Sequence, residues 1–147
     1  MRKAILLLVA LFVLVNITVI GSAKKIKQPL PTDVKLAEVK MIEIKDATGQ
    51  ALLTGHFTVA SEGVNEIERI AELTTTGIDT DAAGKAEIEL EKTDDSITNQ
   101  GIAVSLNKLA ASTNFKLIID SNELTSFTTD KKGEAELELS SKVIKKH

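Results

Sequence analysis

The chain has 147 residues, no cysteine, no tryptophan and no tyrosine, and a formal net charge of −3. Without cysteine there are no disulfides, no thiolate metal centres and no lipidated cysteine anchor, and without Trp or Tyr the flat platforms used by sugar-stacking sites are missing. All 21 acidic residues lie between Asp33 and Glu138, and residues 28–141 carry ten basic against 21 acidic groups, a balance of −11 that repels nucleic acid.

Residues 1–23 read as a signal peptide: Arg2 and Lys3, an apolar run, then Gly21, Ser22 and Ala23 as a small-residue cleavage site. An uncleaved membrane anchor is the rival reading, because residues 4–20 hold only Asn16 and Thr18 as polar residues and approach the roughly 20 residues of a spanning helix. Cleavage after Ala23 leaves 124 residues, enough for one domain with its own core. Export without disulfides fits a bacterial protein, placed in the periplasm or at the cell surface. Residues 24–33, with Pro29 and Pro31, read as a linker. The domain spans 34–142, and 143–147 form a basic tail; the lysines at the two ends of the mature chain read as solvated termini.

Eight strands are predicted in the domain. Residues 34–45 lead into the turn Asp46-Ala47-Thr48-Gly49, and residues 51–59 return with Ala51, Leu53, Phe57 and Val59 on one side. Residues 64–68 fit helix or strand, and strand is expected from Arg69 to Thr75. Residues 85–92 form the next strand, 93–101 a polar loop. Ile102, Val104 and Leu106 alternate with small or polar residues, as do Phe115, Leu117 and Ile119 beyond a connection at 109–113. A turn at 120–123 leads into 124–129, and 134–140 closes the domain.

Residues 80–90 (TDAAGKAEIEL) recur 49 positions later as residues 129–139 (TDKKGEAELEL). The repeat predicts a duplicated β-hairpin with Gly84 and Gly133 at positive φ in equivalent turns. In its strands the aliphatic residues alternate with Glu87, Glu89, Glu134, Glu136 and Glu138, which should face water while Leu109, Phe115, Leu117 and Ile119 are core.

Candidate chemistry is sparse. Asp79, Asp81 and Gly84 have the spacing that opens a calcium loop, but Leu90 stands where the bidentate glutamate belongs, and Lys131 and Lys132 occupy the matching turn. These aspartates read as turn formers. His56 stands alone, His147 is terminal, and no serine sits in a nucleophile elbow. No catalytic, cofactor-binding or metal-ligating residue is therefore assigned, and no cofactor is implied. The paired glutamates read as solubilising charge that also guards the sheet edges.

Residues 109–115 (LAASTNF) resemble the L-x-P-x-T-x-Y corner of fibronectin type III domains, with Ala111 for proline and Phe115 for tyrosine. The T-D-x-x-G-x-A windows resemble the C-terminal hairpin of bacterial immunoglobulin-like modules in invasins and other adhesins. Residues 85–140 carry the resemblance, which implies an antiparallel all-β sandwich and no catalytic residue. The expectation is an exported, non-catalytic structural or interaction module of the cell envelope. Its partner would be a protein or another envelope component, it would not bind nucleic acid, and it would touch a membrane only through residues 1–23 if these stay attached. A small-ligand or cation binder using the acidic faces and D-x-x-G loops is the alternative.

Overall fold

The computed structural model describes residues 25–141, so the expected signal peptide and the tail from 143 lie outside the described residues. No α-helix occurs among the described residues; ten strands form one mixed sheet curled into a half-barrel. They are β1 (Lys25–Pro29), β2 (Met41–Asp46), β3 (Ala51–His56), β4 (Thr58–Glu62), β5 (Glu66–Thr75), β6 (Ala83–Thr93), β7 (Ser96–Asn107), β8 (Asn114–Ile119), β9 (Asn122–Thr128) and β10 (Ala135–Ser140). The order across the sheet is β1-β10-β7-β6-β5-β3-β2-β8-β9, with β4 added beside β5. No helix of the described residues is long and apolar enough to cross a membrane.

The inner face holds a single apolar core, to which most strands send alternate residues, whereas β4 is exposed throughout. Leu109, Phe115, Leu117 and Ile119 are buried there as expected. At that depth each large aliphatic side chain contributes about 1.5–3 kcal/mol relative to exposure. The two ends of the strand order approach one another, and the Thr125 hydroxyl of β9 donates to Gln28 Oε1 of β1 at 2.8 Å.

Several expectations are corrected. Residues 25–29, expected within a linker, form an edge strand parallel to β10, which makes the sheet mixed. A proline is tolerated at the end of such a strand, where no ladder donor is demanded of it. Lys25 and Lys27 are consequently strand residues, and Lys25 Nζ lies 3.6 Å from a Glu138 carboxylate oxygen. The first part of 34–45 is not strand: Leu36–Glu38 is a 3-10 turn whose Leu36 plugs the core. Residues 51–59 split into β3 and β4 at Phe57, and Val59 is exposed. The ambiguity at 64–68 resolves as strand from Glu66, with Val64 88% exposed in the preceding turn.

The polar stretch 93–101 is not a loop either. Asp94 and Asp95, at φ 53° and 68°, make a two-residue turn, and Thr93 pairs with Ser96. Two successive positive φ values suit the twist of a tight hairpin, and aspartate tolerates them without glycine. Asp120 and Ser121, at φ 45° and 72°, close β8 onto β9 in the same way.

The repeat does not build two equivalent hairpins. β5 and β6 do pair, but Gly84 lies inside β6 and its φ is not positive. The positive-φ glycine of that connection is Gly77, and the turn is made by Asp79. In the second copy Gly133 has φ 79°, as expected, yet the turn joins β9 to a strand it does not pair with. β10 crosses to β7. The two repeated strands thus flank β7 from opposite sides: Ala103 has Glu87 on one side and Glu138 on the other, and Val104 lies between Ala86 and Leu137.

Candidate functional site

Because β6 and β10 sandwich β7 in one register, their glutamates share the outer face of the sheet. Across it run Glu136 and Glu138 of β10, the small residues Gly101, Ala103 and Ser105 of β7, Glu87 and Glu89 of β6, and Glu68 of β5. The small side chains of β7 thus separate the glutamates of β10 from those of β6. On the far side of β10, Lys25 and Lys27 stand beside Glu136 and Glu138.

The face is less open than alternation alone suggests. Glu89, Glu134, Glu136 and Glu138 are half-buried, and Glu87, expected in solvent, is only 8% exposed. Glu87 sits in the middle of a six-strand stretch of sheet, where long neighbouring side chains shield one another from water. Burial raises the carboxyl pKa of Glu136 above its ordinary value, opposed by the charge of Lys25 and reinforced by Glu134.

Glu68 is directly opposite Glu89 across the β5–β6 ladder. One carboxylate oxygen from each of Glu68, Glu87 and Glu89 lies within 4.8 Å of the others. This is the one acidic cluster of metal-binding dimensions among the described residues.

The turn aspartates are occupied otherwise. Asp46 Oδ1 accepts from the Thr48 amide and hydroxyl and from the Gln50 amide, at 2.6–3.0 Å. Asp130 Oδ1 accepts from the amides of Lys132 and Glu134 at 2.8 and 2.9 Å. Asp79 Oδ1 accepts from the Asp81 amide. The D-x-x-G loops therefore use their carboxylates to hold their own backbone. The Thr48 hydroxyl and then the Gln50 amide lower the Asp46 pKa below its ordinary 3.8, and the Glu134 amide is the leading cause for Asp130.

A folded value below the unfolded one stabilises the native state above the ordinary aspartate range, and that contribution disappears as pH falls through the folded value. Glu136 has the opposite sign: its raised value costs stability at neutral pH and the cost is relieved on acidification. D46N and D130N should therefore melt below the parent at pH 7, with the gap closing in strong acid, whereas E136Q should melt at or above it. Circular dichroism melts across pH check this, since the chain has no Trp or Tyr for fluorescence.

The corner at 109–115 is closed by a residue that the sequence did not single out. Phe115 has no hydroxyl, but the buried Thr129 hydroxyl donates to the Ala110 carbonyl at 2.6 Å and accepts from the Thr113 amide at 3.0 Å. Two further residues went unforeseen. Gln100 donates to the Val34 carbonyl and accepts from the Leu36 amide, and the Arg69 guanidinium donates to the carbonyls of Leu36 and Ala37 beneath the ring of Phe57. They satisfy the backbone of the 3-10 plug. A long-range hydrogen bond of this kind leaves no periodic trace in a sequence.

His56 is exposed at the end of β3, and His147 lies outside the described residues. An open cleft of about 430 Å³ lies between the segment 31–39 and the β8–β9 turn, lined among others by Lys35, Val39, Asp120 and Leu124. Its Asp120 carboxylate is engaged by the amides of Lys40 and Met41. No protein-family model matches the chain, and neither the curated proteins nor the solved structures contain a significant match.

Proposed function

We propose that the chain is an exported, non-catalytic structural or interaction module of the bacterial cell envelope, of immunoglobulin or fibronectin type III character, in the periplasm or at the cell surface. Its partner is a protein or another envelope component. The observation that carries this reading is the position of β1: its first residue, Lys25, comes two residues after Ala23. Removal of residues 1–23 would release a chain whose sheet starts at its new N-terminus, whereas an uncleaved anchor would press the domain onto the bilayer with no spacer. The Thr129 hydroxyl supports the family character, since it bonds back to the backbone at the corner where the tyrosine of fibronectin type III domains would do so. The acidic outer face agrees with a partner other than nucleic acid.

The intact mass of the chain recovered from fractionated bacterial cells tests the reading. A species beginning at Lys24 in the periplasm or medium is expected. Recovery of the chain with Met1 intact in the membrane fraction would contradict it in favour of the anchor.

A further inference from the structure

We propose that Glu68, Glu87 and Glu89 bind a single divalent cation of the calcium type on the outer face of the sheet. A group of glutamates on a strand face ordinarily signifies solubility, and two features here go beyond that. Glu87 is more than nine-tenths buried, and no hydrogen-bond donor or cation reaches its carboxylate among the described residues. It is directed at two more carboxylates, so that one oxygen from each of the three lies within 4.8 Å of the others. Moreover, Glu68 and Glu89 stand directly opposite across the ladder, a pairing of like charges that weakens a sheet. The burial of most of the Glu87 side chain, at 8% exposure, adds to that cost. One bound cation removes both penalties.

The donor set selects the ion. Three carboxylates with no nitrogen or sulfur ligand favour calcium, magnesium or manganese over zinc or copper. Calcium binds oxygens at about 2.3–2.6 Å, so two ligands on opposite sides of it stand as much as about 5 Å apart, and the observed spacing fits within that limit. Magnesium, at about 2.1 Å, demands a tighter and near-octahedral shell, so a spacing limit of 4.8 Å suits the larger ion better. Water would complete the shell, because the face is open on its solvent side. Sites with so few protein ligands correspond to the weak class of extracellular modules, with dissociation constants of about 10⁻⁴–10⁻³ M.

Lys85, the nearest lysine along β6, pairs in register with Glu72 and Ser105 and forms no ion pair with Glu87 among the described residues. The D-x-x-G turns take no part, since their carboxylates are held by their own amides.

The test is calorimetric titration of calcium chloride into the chain, purified in the form in which the cell leaves it, at constant ionic strength, with melts followed by circular dichroism. Expected are one calcium per chain and a melting temperature raised by several degrees at 10 mM calcium, with a smaller response to magnesium. E87Q should lose at least tenfold in affinity while melting, in EDTA, no lower than the parent, because a neutral amide relieves the buried charge. E68Q, on the neighbouring strand, should lose the calcium response independently, and D130N should keep it. Absence of saturable heat and of any shift at 10 mM calcium would overturn the proposal. So would an unchanged response in both E87Q and E68Q, or an equal shift from sodium chloride at matched ionic strength.

Discussion

Replacing Phe115 by alanine is expected to lower stability by about 3 to 5 kcal/mol, a large part of what a domain of this size possesses. Phe115 is 1% exposed, lies on β8 opposite Phe127 of β9, and its ring is centred 6.0 Å from that of Phe127. Alanine leaves a cavity lined by strand side chains that ladders on both sides hold in place, so little collapse is available to fill it. Chemical denaturation of F115A should show a much lower midpoint with an unchanged slope. A midpoint within a few tenths of a molar of the parent would mean that Phe115 is not core.

Valine in place of glycine at 133 or 84 is expected to be comparably damaging, by more than about 2 kcal/mol in each case, for unlike reasons. Gly133 has φ 79°, which a β-branched residue rarely adopts, and a Cβ there would overlap the carbonyl of Leu109. That close approach is enforced by hydrogen bonds from the Leu109 amide to the Gly133 carbonyl and from the Ser112 amide to the Asp130 carbonyl, at 3.0 and 2.9 Å. At Gly84 the backbone is ordinary extended strand. There a Cβ would stand 2.6 Å from a methyl of Leu106 and 2.9 Å from the Ser105 carbonyl, so the obstacle is packing against β7. G133A and G84A separate the two causes. Alanine at 84 retains only the steric conflict, part of which Leu106 can relieve by changing rotamer, whereas at 133 both strain and overlap with fixed backbone persist. Thermal melts should therefore place G133A below G84A, and parent-like melting of both valine variants would contradict both environments.

The period-two alternation made most strands legible, since an inward Phe115, Leu117 and Ile119 admit only one register. The turns at Asp46 and Asp130 were legible too, because the signal is local: an aspartate side chain bonded to amides two and four residues on. What the sequence concealed is non-local. Nothing in residues 129–139 states that their strand pairs with β7 and not with its neighbour β9, and the prolines masked an edge strand as a linker. Asp94 and Asp95 disguised a tight hairpin because a turn without glycine carries no punctuation. The burial of Glu87 follows from the breadth of the sheet around it, and its approach to Glu68 follows from the β5–β6 register; neither can be read from one strand alone.

The joining of the β6 and β10 glutamates into one acidic face rests on the repeated strands lying on either side of β7, and engineered cross-links measure this directly. The chain has no cysteine, so each introduced pair reports without competition. Residues opposed on neighbouring strands have Cα atoms about 4.5–5.5 Å apart, within the range a disulfide spans. Ala103 is opposed by Glu87 on one side and Glu138 on the other. Under mild oxidation, A103C/E87C and A103C/E138C should each close an intramolecular disulfide with unchanged circular dichroism. The T125C/E138C pair, which a hairpin between β9 and β10 would place opposite one another, should stay reduced. Closure of T125C/E138C with A103C/E138C left open would contradict the arrangement and dissolve the shared acidic face.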